Sequence, residues 1–210
     1  EIKQKIESVG VPIRNWGLSI NRGILTGFND AFIISGDVKN QLISEDPRSA
    51  ELIRPILRGR DIKRYKCSFA DLWLIYVPWH FPLENDASIK GASVEAELLF
   101  KEQYPAVYKH LLNHKEKLSK RNRAETGIRY EWYALQRWGA KYKDDFLQQK
   151  IVYREISDQM NACLVDPYVY INNKCYMITG SHLIYLISIF NSTLFNKVIL
   201  QSANTTGGKG

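Results

Sequence analysis

Positive charge is gathered in two places along this chain. Six basic residues and one acid fall between Arg54 and Lys66, and six more with one acid fall between Lys109 and Arg123. Cations gathered in this way suit phosphate oxygens, because each one that meets a phosphate releases a condensed counterion. The segment from Lys120 to Arg154 adds a second kind of group, interleaving Arg121, Arg123, Gln136 and Arg137 with Tyr130, Trp132, Tyr133 and Trp138. Guanidinium groups fit the acceptor pair of guanine and carboxamides fit the edge of adenine, so this segment holds groups for both affinity and sequence choice. Lys120, Arg121 and Arg123 are assigned to phosphates, and Gln136 and Arg137 to base edges. The competing reading is a solvated basic loop whose aromatics anchor it to the core, Trp132 and Trp138 above all.

Two further segments carry the same chemistry. Gly59 allows a tight turn that sends Arg60, Lys63 and Arg64 to one side, for DNA contact against simple surface charge, while Ile62 and Tyr65 point inward. In the Thr26-Gly27-Phe28-Asn29 turn, Thr26 and Asn29 can hold a phosphate or a base edge, and Gly27 permits close backbone approach. Equally, Asn29 caps the turn while Phe28 and Phe32 fill the core.

Motifs for hydrolysis and metal binding fail at particular positions. Glu1-Ile2-Lys3 has the Glu-x-Lys spacing of a metal-dependent nuclease but no upstream acid. Asp144-Asp145 reads as a solvated pair. His110 and His114 are four apart, yet a zinc protease needs Glu where Leu111 stands, and with lysines around them they read as facing water or phosphate. Gly207-Gly208-Lys209-Gly210 lacks the first glycine and the closing Ser or Thr of a phosphate loop.

The elements that must position these groups are short. Ala31–Ile34, Leu72–Val77, Ile151–Ile156, Ala162–Val165, Tyr168–Ile171 and Cys175–Thr179 read as strands, with Asn172-Asn173 as a hairpin turn. Asp46-Pro47 reads as the start of a helix that Pro55 bends and Gly59 ends. A second helix begins near Pro105, with Val107, Tyr108, Leu111, Leu112 and Leu118 on one side. A third runs from behind Ser181 to Leu200, apolar almost all round and therefore buried. Phe81–Ser93 is the best candidate for an exposed loop. The class this implies is α+β: a mixed, largely antiparallel sheet arrangement with several packed helices, most simply one compact recognition module.

Composition bounds the rest. The chain has 210 residues, 45% hydrophobic and 24% charged, with a formal net charge of +7. Its longest apolar stretch, Leu183 to Phe190, is far short of the roughly 20 residues a membrane helix needs, so no membrane partner is expected. Cys67, Cys163 and Cys175 lack metal-ligand spacing and read as free, mostly buried thiols in a reducing cytoplasm. Glu1 and Gly210 read as cuts through a longer polypeptide.

Taken in order, Gly23–Ile34, Ile53–Tyr65, Tyr104-Pro105-Ala106-Val107-Tyr108, Leu118–Arg121, the segment around Trp132 and Arg137, Lys150–Tyr153 and Tyr185–Leu194 form a series. That series resembles the TaqI-like C-terminal specificity domain, the target-recognition domain of restriction-modification enzymes that methylate adenine. It runs from about Trp16 to Gly210. The resemblance implies a non-catalytic domain that binds double-stranded DNA and directs an N-terminal adenine methyltransferase domain of the same chain, itself a user of S-adenosylmethionine. An alternative is a protein-interaction module whose Leu183–Leu200 helix docks on separate methylase or nuclease chains. Asn191-Ser192 matches the family's usual pair and reads as structural. The methyltransferase motifs themselves are absent: there is no Phe-x-Gly-x-Gly segment, and Asp166-Pro167-Tyr168, with one proline, reads as a plain turn. No cofactor, metal or catalytic residue is therefore expected in this piece.

Overall fold

The computed structural model describes residues 2–155 and 159–197. In chain order its helices are α1 (Ile2–Val9), α2 (Asn29–Phe32), α3 (Gly36–Glu45), α4 (Val94–Gln103), α5 (Pro105–Leu112), α6 (Lys115–Lys120) and α7 (Leu183–Phe190). Its strands are β1 (Ser19–Arg22), β2 (Ile33–Ser35), β3 (Ile53–Leu57), β4 (Ile62–Lys63), β5 (Lys66–Cys67), β6 (Leu72–Ile75), β7 (Lys150–Arg154), β8 (Ala162–Val165), β9 (Tyr170–Ile171) and β10 (Cys175–Thr179). The class is α+β. The chain divides into two compact units, the first made of residues 1–23, 57–69 and 144–210 and the second of residues 24–56 and 70–143. Among the described residues no helix is long and apolar enough to cross a membrane.

The first unit is built on an antiparallel sheet in the order β1-β10-β7-β8. Val152 of β7 lies between Met177 and Cys163, and all three are buried, as a central strand demands. Helix α7 lays Leu183, Leu186, Ile187 and Phe190 against Ile151, Ala162 and Ile178. That spacing of three, one and three is one face of a helix. Its other face is open: Ile184 is 73% exposed and Tyr185 61%. The all-round apolar pattern thus does not make this a fully buried helix, and α7 ends at Phe190, with Asn191-Ser192 in a turn, rather than running on to Leu200. Residues 198–200 and the 207–210 segment lie outside the described residues. The Asn172-Asn173 turn forms, with Cys175 N–H donating to Asn172 O at 2.9 Å, but β9 stays outside the sheet that holds β10, so no ladder follows it.

Strand β8 is the edge of this sheet, and its free backbone groups are covered from within the unit. Asn191, 1% exposed, accepts from Ala162 N–H through Oδ1 at 3.0 Å and donates to Ala162 O through Nδ2 at 2.9 Å. Tyr65 N–H also donates to Ala162 O, at 2.9 Å, which seats the β4–β5 hairpin on the same edge. The structural reading of Asn191 is thereby explained. Asn191→Ala removes both bonds at a buried site and should cost about 1–3 kcal/mol, read as a lower urea midpoint at unchanged slope.

The second unit holds the antiparallel strands β2, β6 and β3, with Leu74 paired to Ile33 on one side and Arg54 on the other. Phe32, Leu74, Phe100, Leu111, Leu118, Tyr130 and Tyr133 are fully buried around them. Several sequence expectations change here. Asp46 does cap a helical start, its carboxylate accepting from Arg48 N–H at 3.1 Å, but a 3-10 helix runs only over Pro47–Leu52 and Ile53–Leu57 is strand. Pro55 lacks a donor and pushes Arg54 into extended backbone, which favours the strand over a bent helix. Ala31–Ile34 is half helix, since α2 ends at Phe32 before β2 begins. The helix after Pro105 breaks at Asn113-His114 into α5 and α6, leaving Leu112 43% exposed instead of in the core. Phe81–Ser93 contains no regular element, as expected of a loop.

Candidate nucleic-acid interface

The Thr26–Asn29 turn of the second unit meets the segment that follows Tyr130. Leu25 and Arg137 exchange two backbone hydrogen bonds, Leu25 N–H to Arg137 O at 3.1 Å and Arg137 N–H to Leu25 O at 2.9 Å. This bridge brings Gln136 beside Gly27. Gly27 has φ +80°, and a Cβ there would stand 2.7 Å from Gln136 Oε1 and 2.8 Å from Arg121 Cδ. Backbone conformation and space both require glycine. Thr26 is buried, donating through Oγ1 to Asn29 Oδ1 at 2.7 Å, so it shapes the turn rather than presenting itself. Asn29 is exposed at the start of α2, and Gln136 is half-buried. Beside them, the ring of Phe28 lies 5.3 Å from Lys117 Nζ and 5.8 Å from the His114 ring.

Arg121 departs from its expected place at a phosphate. It is 9% exposed, and its guanidinium donates to the carbonyls of Thr26, Trp132 (at 3.0 Å) and Ala134. The charge lies 5.3 Å from the Phe32 ring centre and 5.8 Å from that of Tyr130. Burial lowers its pKa to about 10, against the raising influence of Tyr130. Arg121 is the bracket that ties the Thr26 turn to the 132–134 segment. Lys120 is exposed and pairs with Glu116 one helical turn earlier, while Arg123 is exposed. Trp132 is buried and anchors the segment as expected, while Trp138 is half-buried and it is its backbone carbonyl that accepts from Tyr76 Oη, at 2.9 Å.

Arg137 faces solvent with its side chain 49% exposed, held by Glu125 at 2.8 and 3.2 Å. The hydrogen bonds from Arg137 place the Glu125 carboxyl below the ordinary value, and the same bonds raise Arg137. Glu125 was not among the residues the sequence reading singled out. Its spacing of four from Arg129, with which it pairs at 2.9 Å, is the signal that points to it. Trp79, stacked on Tyr130 at 4.7 Å, lies under Arg129 and Arg137 at 5.6 and 6.0 Å. Nothing in the sequence joins Trp79 to a segment fifty residues on.

His110, expected to face water or phosphate, bonds instead through Nε2 to Ala31 O at 3.0 Å. Burial lowers its pKa from 6.5, the bond to Ala31 raises it, and His114 lowers it again.

In the first unit, Arg60, Lys63 and Arg64 are exposed around the β4–β5 hairpin, whose tip is Arg64-Tyr65. Ile62 is buried as expected, but Tyr65 is 52% exposed at φ +64°, with the Arg64 guanidinium 5.4 Å from its ring. A left-handed residue at the hairpin tip turns its side chain out. Gly59 opens a 3-10 turn, Gly59–Asp61, rather than ending a helix. Asp145, read as solvated, accepts from Ser19 Oγ at 2.8 Å and Asn21 Nδ2 at 2.6 Å. Lys150, fully buried, donates to Asp166 O at 3.2 Å, and burial lowers its pKa to about 8. Cys67, Cys163 and Cys175 are all free, and burial pushes the Cys175 thiol up to about 12. Among the described residues no group of three or more His, Cys, Asp or Glu could hold a metal.

Residues 54–209 match the family model of the TaqI-like C-terminal specificity domain. The chain belongs to that family. The match leaves the Thr26–Asn29 turn outside it and includes both basic blocks, Gln136 and Arg137. This specificity domain is 23% identical over 193 residues to the type II methyltransferase M.MjaIV of Methanocaldococcus jannaschii, covering 89% of the chain. It spans 58% of the length of that relative. Among solved structures it is similar to the type IIL restriction-modification enzyme MmeI in complex with DNA, at TM-score 0.45 and 17% identity, covering 84% of this chain and 21% of that one.

Two outcomes follow from the specificity domain's geometry. Arg121→Met should leave three carbonyls short of a donor and cost about 3 kcal/mol or more, measured by thermal unfolding. Because the folded pKa of His110 lies below its unfolded value of 6.5, its contribution to stability is present above that pH and is lost as pH falls through the folded value. His110→Gln should therefore flatten the fall in melting temperature between about pH 7 and pH 5.

Proposed function

We propose that this specificity domain recognises a duplex DNA sequence and directs an N-terminal adenine-N6 methyltransferase domain of the same chain to it. The observation that carries this reading is the Gln136–Arg137 pair, held by backbone bonds against the Leu25–Gly27 turn, its guanidinium outward. An amide and a guanidinium side by side are the two groups whose donors discriminate adenine and guanine. Lys120, Lys117 and Arg123 are exposed in the same unit and serve phosphates. Arg60, Lys63 and Arg64 serve the same purpose in the first unit. Family membership and the relative's description as a methyltransferase support the reading.

Methyl transfer belongs, in this proposal, to the rest of the parent enzyme. S-adenosylmethionine does not fit this chain, which has no Phe-x-Gly-x-Gly turn to cradle it and no Asn-Pro-Pro-Tyr loop to hold a flipped adenine. The open face of α7, with Ile184 and Tyr185 exposed, favours a second role in which that helix docks on another protein chain. Salt separates the two roles, because phosphate contacts release counterions and apolar contacts do not.

Arg137→Ala or Gln136→Ala should relax the recognised sequence at one position, each reading contact being worth about 1–3 kcal/mol, while non-specific affinity holds. Lys120→Ala and Arg123→Ala should weaken binding to all sequences and each lower the slope of log K against log salt by about one unit. The measurement is the methylation pattern of the parent enzyme on a randomised site library, with salt titrations on duplex DNA. An unchanged pattern in the Gln136 and Arg137 variants rules those side chains out as readers.

A further inference from the structure

Glu125 grips the outward end of Arg137 through both carboxylate oxygens, and the way it does so selects which donors remain free of a partner among the described residues. Oε2 accepts from Arg137 Nη1 at 2.8 Å and Oε1 from Nη2 at 3.2 Å. The other Nη1 hydrogen goes to Gln136 O, also at 2.8 Å. Of the five donors of a guanidinium, three are thus occupied. The two left, Nε–H and the second hydrogen of Nη2, lie next to each other on one edge. That edge is the two-donor fork that O6 and N7 of guanine accept.

Glu125 is itself fixed. Asn122 Nδ2 donates to its Oε2, Arg129 Nη1 to its Oε1 at 2.9 Å, and Arg129 N–H to its carbonyl at 2.7 Å. Its side chain is 13% exposed, against 49% and 60% for Arg137 and Arg129. A carboxylate set behind two outward cations repels phosphate and denies it the end-on edge of Arg137. An arginine drawn onto a phosphate adds affinity but carries no sequence information.

We propose that Glu125 is a positioning residue that presents the Nε/Nη2 edge of Arg137 to one guanine and keeps Arg137 off the phosphate backbone. This rests on the reading of the domain as a DNA binder. The test uses the 210-residue chain, as wild type and as Glu125→Gln, on duplexes with a randomised site and on a random-sequence duplex across a salt series. The wild type should enrich guanine at one position. Glu125→Gln should lower that enrichment by about tenfold, tighten binding to random sequence, and steepen the salt slope by about one unit. A merely structural ion pair would lower the melting temperature and move neither enrichment nor slope, and that result overturns the proposal. Arg137→Lys keeps a cation but not the fork, and should lose the guanine preference while keeping the random-sequence affinity. If Glu125→Gln does not fold, retention of the preference in Arg137→Lys overturns the proposal instead. A wild-type chain that binds no duplex at low salt overturns the DNA-binding reading itself, a separate failure from a variant that binds as the wild type does.

Discussion

The second unit is organised around a positive charge placed inside it. Taking the Arg121 guanidinium out of water is expensive, and the cost is offset only because three carbonyls and two aromatic rings converge on it. Those carbonyls belong to Thr26, Trp132 and Ala134, so meeting the charge means bringing the turn and the later segment together. The Leu25–Arg137 bridge and the close approach of Gln136 to Gly27 are the result. Lysine could not do this, since a single ammonium does not span three acceptors in a plane.

Acidic residues play a matching part. Glu97 accepts from Tyr108 Oη at 3.0 Å and Trp132 Nε1 at 2.7 Å, joining α4 to α5 and to the segment that carries Gln136 and Arg137. Glu131, 3% exposed, accepts from the backbone of His80 and Ser93, each at 2.8 Å, and from the His80 ring at 3.0 Å. It closes both ends of the irregular 81–93 loop. In a chain with a net charge of +7, Glu131 lies inward and the Glu97 side chain is 27% exposed, while Arg60, Lys63, Arg64, Lys117 and Arg123 are exposed. That division leaves the cations facing outward where a polyanion can reach them.

Burial sorts the basic residues more finely than their number does. Arg58 and Arg60 are two positions apart, yet Arg58 is held by Asp61 at 3.0 Å through both Nε and Nη2, while Arg60 is exposed. Burial works against the Asp61 carboxylate, but the bonds from Arg58 keep its pKa below the ordinary value. The same contrast separates Arg121 from Arg123 and Lys150 from Lys174. In each pair the residue that serves the fold and the one that faces solvent look alike in a list of charges.

The family, the α+β class, strands Ala162–Val165 and Cys175–Thr179, the Asp46 cap and the structural role of Asn191 were legible in the sequence, because each depends on residues close together or on an ordered set of motifs. The basic and aromatic character of the 120–154 segment was legible too, since composition does not depend on packing. What tertiary structure decided was which member of a cluster does what. Arg121 goes inside because the Thr26 carbonyl, from a turn ninety-five residues away, joins those of Trp132 and Ala134 in satisfying it. Ile53–Leu57 becomes strand because β6 offers a ladder that outweighs the helical signal of Asp46. His110 turns to Ala31, Tyr65 turns out, and Glu125 takes the end of Arg137 twelve positions on. Apart from Tyr65, which its left-handed backbone at the hairpin tip turns out, each of these rests on a partner elsewhere in the chain, and local propensity carries no record of such a partner.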